Sequence, residues 1–318
     1  MLRISLIICT YNRAALLPRC LTAARAQTLP KTEYEIIVVD NGSTDQTPSI
    51  VRRFAGVRYL LYRTRGLSGA RNAGAHAARA PIAAYIDDDA MAHPDLLREL
   101  LRVFDEHPGA GCVGGRIGLS LPPALPHWYS PALAGFYSGF DLPYWKVTRI
   151  HDSTRYPFGA NAAYRVAALD VVGYFDTNLG RVGAGTQGGE DTQLAFRLAR
   201  HGYEMYYNPA AEVEHVILQD RLRWSHIAGT ARAAGRNWAF YESAGLAPKQ
   251  SLWKEFRWLW GTAVRTVLGH DRWTAYSHHL FLRAKIGRKL YDRAARMPDR
   301  VIMSIIGSHG LGSKPSAK

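Results

Sequence analysis

Cysteine is scarce in this chain: Cys9, Cys20 and Cys112 are the only three in 318 residues. An odd, sparse set without metal-ligand spacing argues against a disulfide framework and for a reducing compartment. Long apolar runs are missing as well, since no window approaches the roughly eighteen uninterrupted apolar residues of a spanning helix. The first apolar run, Ile4–Cys9, is too short for a signal-peptide core and breaks into polar Thr10-Tyr11-Asn12-Arg13. It reads as a buried first strand, and this part of the chain is expected to be cytoplasmic. Low-complexity tracts and internal repeats are absent, which excludes repeat architectures. Acidic residues are in short supply at one end only. Residues 220–318 hold 18 Lys/Arg against 6 Asp/Glu, whereas residues 1–219 hold 22 against 20, so the net charge of +14 belongs almost wholly to the last third.

What is present is an alternation of short apolar runs and helical patterns. Ile4–Cys9 precedes a helix expected near residues 15–26. Glu35–Val39 is a β-branched run of the kind buried on both faces of a sheet. Thr47-Pro48 marks a helix start, with Thr as cap and Pro in the first turn. Val57–Tyr62 and Ile82–Ile86 read as strands, Ser68–Ala80 and Pro94–Phe104 as helices. This spacing predicts an α/β fold with a mostly parallel, mixed sheet flanked by helices. Ligands of such sheets bind beyond the carboxyl ends of the strands. Those ends carry Thr10–Arg13, Asp40–Asp45 and Asp87-Asp88-Asp89. Residues 120–157 interleave prolines with aromatics, including Trp128 and Trp145, and read as a long ordered loop. Beyond residue 219 the pattern is helical, with helices expected over 221–243, 251–268 and 272–296 and a frayed Gly/Ser/Lys-rich end from Gly307.

Three adjacent carboxylates repel one another, so a fold gathers them where a cation neutralises them. Oxygen ligands at a strand end suit Mg²⁺ or Mn²⁺ shared with phosphate oxygens. Taken alone, Asp87-Asp88-Asp89 also fits a solvated acidic turn before the next helix. Arg71, early in its helix, can offer a delocalised charge to phosphate. Asn41-Gly42 suits a tight turn that exposes Asp40. Gly188-Gly189-Glu190-Asp191 places an acidic pair at a helix start, where carboxylates are also common as simple caps.

Four segments occur in order: Val38-Val39-Asp40-Asn41-Gly42-Ser43-Thr44-Asp45, Gly66-Leu67-Ser68-Gly69-Ala70-Arg71-Asn72-Ala73-Gly74, Asp87-Asp88-Asp89 and Gly188-Gly189-Glu190-Asp191. Together they resemble the signature of family-2 inverting glycosyltransferases of the GT-A fold, over about residues 3–216. The resemblance implies a nucleotide-diphosphate sugar donor, with UDP the default base and GDP or dTDP open, and a saccharide or lipid-linked acceptor. It places Tyr11 and Asp40 at the base, Arg13 and Arg71 near the ribose-diphosphate, and Asp87 at the ribose or donor sugar, with Thr10 and Asp88 beside them. Asp89 becomes the metal ligand and His215 a candidate second ligand. Asp191 becomes the general base, and Glu190 an acceptor-orienting or structural neighbour. Asn161, in Phe158-Gly159-Ala160-Asn161, resembles the acceptor-side segment, and the aromatic loop with Trp128 and Trp145 would contact sugar faces. The implied reaction is a single displacement with inversion.

The chain is thus expected to divide into a catalytic domain over 1–219, with a nucleotide-sugar half to about 115 and an acceptor half from about 116, and a basic, Trp-rich helical extension over 220–318. The 251–268 segment alternates tryptophans with Lys254, Arg257 and Arg265, as an in-plane membrane helix does. An anionic membrane surface on the cytoplasmic side is the expected partner. A helix packed on the catalytic domain or a dimer contact is the other reading. No nucleic-acid module is visible. A non-catalytic nucleotide-sugar sensor is the alternative function, and a two-carboxylate hydrolase leaves Asp40 and Arg71 unexplained. The membrane reading predicts co-sedimentation with anionic liposomes that weakens on truncation after residue 248; equal binding by both forms contradicts it.

Overall fold

The protein is described by a computed structural model covering residues 1–151, 156–183, 185, 187–255, 257–259, 262 and 272–294. The strands expected from β-branched runs form where expected. β1 (Ile4–Thr10), β2 (Tyr34–Asp40), β3 (Val57–Leu61) and β4 (Ile82–Asp87) pair in parallel in the order β3-β2-β1-β4. Every residue of β2 is buried, as its unbroken apolar run requires. The register matters more than the count. Thr10 lies opposite Asp40 and Cys9 opposite Asp87, so the carboxyl ends of β1, β2 and β4 finish level with one another.

The helices between these strands are α1 (Leu17–Arg25), α2 (Thr47–Arg52), α3 (Leu67–Ala77) and α4 (Leu96–Glu106). Leu96, Leu97, Leu100, Leu101, Val103 and Phe104 form the buried stripe of α4, each contributing roughly 1.5–3 kcal/mol by leaving water. Gly74 in α3 is needed because a Cβ there would lie 2.5 Å from Cγ2 of Ile7. The α2 start differs from expectation. Thr47 is the first helical residue rather than the cap: Gln46 holds the cap position without a side-chain bond, Asp45 Oδ1 accepts the Thr47 amide, and Thr47 Oγ1 accepts the amide of Arg13.

The second half of the sheet reverses direction. β8 (Asn161–Arg165) runs antiparallel to β4 and to β6 (Ala110–Ser120), which pairs in parallel with β9 (Glu204–Val216). Two short strands, β5 (Ala90–Ala92) and β7 (Thr148–Arg149), add antiparallel to β9. Parallel pairing therefore characterises the first four strands, and the whole sheet is mixed. α5 (Val166–Val172) and α6 (Glu190–Arg200) connect β8 to β9. Within the aromatic loop, Pro131–Tyr137 forms a 3₁₀ helix started by Ser130.

Beyond the sheet lie α7 (Trp224–Ser243) and α8 (Arg272–Ala294), packed against each other. Gly235 permits their close approach, since a Cβ there would sit 2.1 Å from the Phe281 carbonyl. Of the helix expected over 251–268, residues 252–255, 257–259 and 262 are helical, Ser251 is not, and the rest falls outside the described residues, as do 295–296 and the Gly/Ser/Lys-rich end. No helix among the described residues is long and apolar enough to cross a membrane.

Asn161 revises the acceptor-side expectation. It is fully buried, and its Nδ2 donates to the carbonyls of Arg116 and Ala211 at 3.0 and 2.9 Å. These groups flank the register shift between Gly115 and Arg116 in the β6–β9 pair. The amide replaces ladder bonds lost at the shift and does not face an acceptor. Replacing Asn161 by Leu should strand two buried carbonyls and cost about 1–3 kcal/mol in chemical denaturation; a raised acceptor KM with unchanged stability contradicts this placement.

Candidate active site

The turn after β1 is tied to the turn after β2. Asn12, at φ 52°, donates its amide to Ser43 Oγ and accepts the Thr44 amide through Oδ1. Thr47 then holds the Arg13 amide, which aims Arg13 at the triplet after β4. Its guanidinium lies 3.7 Å from Asp88 Oδ1 and 3.6 Å from Asp89 Oδ2. Tyr11 carries the guanidinium of Arg65 over one ring face, 3.9 Å from the centroid.

β5 follows the triplet directly and pairs with the end of β9, placing Ala90 opposite His215. This pairing brings His215 Nε2 to 2.8 Å from Asp89 Oδ1. Arg221, in a 3₁₀ turn after β9, donates to Asp89 Oδ2 at 3.2 Å. Burial alone would raise the Asp89 pKa, but the His215 hydrogen bond and charge, with Arg221 and Arg13, hold it below the usual carboxylate range. Burial and the adjacent Asp89 charge push Asp88 upward against the pull of Arg13. Burial would lower His215, yet Asp89 outweighs it and the imidazole is raised.

The donor set fits a divalent cation. Asp87, Asp89 and His215 each offer one ligand atom, and these atoms lie within 4.8 Å of one another. His215 Nδ1 is 2.8 Å from the Tyr137 carbonyl. A carbonyl only accepts, so Nδ1 carries a proton, and loss of the proton that Nε2 shares with Asp89 would free that nitrogen's lone pair for a cation. Two carboxylate oxygens and one imidazole nitrogen suit Mn²⁺ or Mg²⁺.

Arg71 joins this cluster to the acidic pair of α6. It is buried, 2.5 Å from Glu190 Oε1 and 3.4 Å from Asp87 Oδ1. Burial opposes its charge, but Glu190, Asp87 and Asp191 overcome that and raise it further. Gly159 presses on the guanidinium, where a Cβ would meet Nη2 at 2.3 Å, and its amide donates to Asp191 Oδ2 at 3.1 Å. The Asp191 Oδ1 atom accepts the Thr192 amide at 2.8 Å. Two cavities meet along this line. One of ≈ 150 Å³ is bounded by Tyr11, Arg13, the triplet, Arg181 and Arg221; the other, of ≈ 670 Å³, by Arg71, Asp191, Phe158, Trp238, Tyr241 and Phe281. Asp87, Leu67 and Arg181 border both.

Residues 5–173 match the profile of glycosyl transferase family 2. The chain belongs to that family. Validoxylamine A glucosyltransferase of Streptomyces hygroscopicus subsp. jinggangensis (strain 5008) is 30% identical over 234 residues, covering 64% of this chain and 52% of that protein. Glucosyl-dolichyl phosphate glucuronosyltransferase of Haloferax volcanii is 25% identical over 237 residues, covering 70% and 72%. The chain spans about half the length of the validoxylamine relatives. Among solved structures, the Pyrobaculum calidifontis mannosyltransferase PcManGT in complex with GDP-Man and Mn²⁺ superposes with a TM-score of 0.59 at 20% identity, over 96% of this chain and 79% of that one. TarS 1–349 of S. aureus in complex with UDP-GlcNAc gives 0.54 at 18%, over 92% of each. The shared architecture is the GT-A fold.

Within this family-2 site several sequence expectations are revised. Asp40 is fully buried, its Oδ1 accepting the Ser43 amide and its Oδ2 the Tyr59 hydroxyl, each at 2.8 Å. It builds the turn, and Asn41 is the residue of that loop that borders the smaller cavity. Arg71 is committed to carboxylates, so Arg13, Arg181 and Arg221 are the cations facing the smaller cavity. Trp128 packs in a separate apolar cluster edge-on to Trp224, and Trp145 is 86% exposed beneath Lys146; neither borders the larger cleft. Thr10, Tyr11, Arg13, Asp87, Asp88, Asp89 and His215 do converge, as do Glu190 and Asp191. Sequence reasoning missed Arg221, which lay inside an expected helix, and Arg181, which carried no motif. Replacing His215 by Ala should weaken Mn²⁺ binding at least as much as loss of a supporting contact, about 10–100-fold, in calorimetric titration; unchanged affinity removes it from the ligand set.

Proposed function

We propose that this family-2 chain transfers a sugar from a nucleotide-diphosphate sugar to a hydroxyl acceptor by a single inverting displacement. One observation carries the reading: a cation-ready cluster and a carboxylate, Asp191, border two adjoining cavities that share Leu67, Asp87 and Arg181, and buried Arg71 bonds both Asp87 and Glu190, the neighbour of Asp191. The solved neighbours that hold GDP-Man with Mn²⁺ and UDP-GlcNAc support a donor of this class. The relative named for glucosyl-dolichyl phosphate supports a lipid-linked or saccharide acceptor.

The donor nucleotide would occupy the smaller cavity against Tyr11 and Asn41, with its diphosphate facing Arg13, Arg181 and Arg221. A divalent cation on Asp87, Asp89 and His215 would supply Lewis-acid stabilisation to the diphosphate leaving group. The arginines add fixed positive charge where negative charge develops. The acceptor would enter the larger cleft, whose aromatic wall of Phe158, Trp238 and Phe281 excludes water and suits sugar faces. Among the described residues each Asp191 oxygen accepts one main-chain hydrogen bond, which leaves a lone pair for the hydroxyl proton. As the oxygen attacks the anomeric carbon, Asp191 takes that proton and the bond to the diphosphate breaks. Glu190 serves by holding Arg71, and so fixes the distance between the donor and base ends.

In this reading residues 1–219, joined by Arg221 just beyond them, carry the donor and base chemistry, and the extension supplies the far wall of the acceptor cleft through α7 and α8. Its described 252–259 stretch presents Trp253 and Trp258, 79% and 44% exposed, beside Lys254. That pairing supports peripheral docking on an anionic inner membrane face.

The test is a panel of UDP-, GDP- and dTDP-sugars scored for nucleotide release with Mn²⁺ and Mg²⁺. Turnover of at least one donor is expected, and Asp191→Asn should lower it about 10²–10⁴-fold while nucleotide affinity holds. Turnover of none with either metal contradicts the enzyme reading; loss of nucleotide binding in Asp191→Asn moves this residue out of the base role.

A further inference from the structure

We propose that Asn237 and Tyr241 of α7 are positioning residues that hold Asp191 at the acceptor by gripping the two carbonyls that lead into α6. The inference rests on the reading of Asp191 as the base, and it assigns work to a helix that the sequence marks only as part of a basic, Trp-rich extension.

The Gly188-Gly189 dipeptide determines where α6 starts and therefore where its first-turn acids point. Gly189 adopts φ +99°, which disfavours any side chain, and α6 has no side-chain cap of its own. Support comes instead from across the cleft. The Asn237 amide donates to the Gly188 carbonyl, and the Tyr241 hydroxyl donates to the Gly189 carbonyl at 2.7 Å. The same Gly189 carbonyl accepts the Gln193 amide, the first hydrogen bond of α6. Tyr241 therefore bonds to the group from which the helix propagates. Asn237 and Tyr241 are four residues apart and share one face of α7. Gly189 is pressed against both: a Cβ there would lie 2.2 Å from Tyr241 Oη and 2.6 Å from Asn237 Nδ2. The glycine is thus required twice, by its dihedral and by this approach.

The clamp is itself anchored. Phe196 of α6 contacts Trp238 and Tyr241 with ring centroids 6.0 and 5.6 Å apart. The residue after Tyr241, Glu242, is buried against Lys285 and Lys289 of α8, and both lysines also reach buried Glu255. A buried ionic cluster is a weak source of net stability, yet it can select one register for the helices that carry it. Gly235, one turn before Trp238, lets α8 close to the distance this register needs. Ala233, Ala234 and Trp238 of α7, with Phe281 of α8, also border the larger cleft. The helix that touches the acceptor space is therefore the one that holds the base.

The experiment compares the full chain with Tyr241→Phe, which keeps the ring, and with Tyr241→Phe/Asn237→Ala. Amide exchange followed by mass spectrometry needs no donor. Exchange over 187–193 should accelerate about tenfold or more in the double variant, with β2 unchanged. With the donor selected by the nucleotide-sugar panel, kcat for nucleotide release should fall about tenfold, and the affinity for the free nucleotide should hold. Adding Tyr241→Phe to Asp191→Asn should then cause no further loss, because the clamp acts through Asp191. Unchanged exchange over 187–193, or equal acceleration in β2, overturns the proposal, as does full further loss in the Asp191→Asn background. Full turnover by Asp191→Asn itself overturns the base reading instead, while the exchange result still decides whether the clamp exists.

Discussion

The gathering of carboxylates at the ends of β4, β5 and α6 is the constraint on which the site depends. Asp87, Asp88, Asp89, Glu190 and Asp191 meet in a partly buried cleft, where like charges repel strongly and water cannot screen them well. The fold answers with cations placed by distinct devices. Arg13 comes from a turn latched to Thr47, Arg71 from the second turn of α3, Arg221 from the turn after β9, and His215 from a strand pair that crosses the triplet. Each contact breaks if its supporting backbone moves. Electrostatic balance therefore links β1, α2, α3, β5 and β9 in a way that apolar packing alone does not.

That balance also divides the labour between the two cavities. Arg71, held by Asp87 and Glu190, would in the proposed reading act as a spacer between donor and acceptor ends. Arg13, Arg181 and Arg221 remain arrayed around the smaller cavity, where a diphosphate brings its own negative charge. In the proposed reading, donor binding would exchange carboxylate–arginine contacts for phosphate–arginine and carboxylate–cation contacts. Little reorganisation of the backbone would be required, because the strand ends already finish level.

Much of the first 105 residues was legible in sequence because buried parallel strands are apolar throughout and their helices carry strong apolar stripes. The triplet, Asp191 and His215 were singled out because four segments in order resemble the family-2 signature; alone, acidic residues at element ends fit turns and caps equally well. Other roles were not legible. Asp40 and Asn161 look like ligand-binding groups by type, yet Asp40 accepts from the Ser43 amide and the Tyr59 hydroxyl in a tight turn, and the Asn161 amide nitrogen donates to two carbonyls at a register shift that no local pattern announces. Trp128 was misplaced because an aromatic loop can pack on itself as readily as it lines a cleft. Arg181, Arg221, Asn237 and Tyr241 were invisible for a shared reason. Their partners lie far away in sequence, and nothing in the surrounding residues encodes a long-range contact.

The central claim is that the strand-end carboxylates and His215 form one cation site facing the donor cavity. The most direct measurement is anomalous diffraction at the manganese edge from crystals grown with Mn²⁺ and UDP. The account predicts a peak among Asp87, Asp89 and His215, about 2.0–2.3 Å from their ligand atoms, with the diphosphate toward Arg13 and Arg221. A peak elsewhere, or a nucleotide seated without any peak at this cluster, contradicts it.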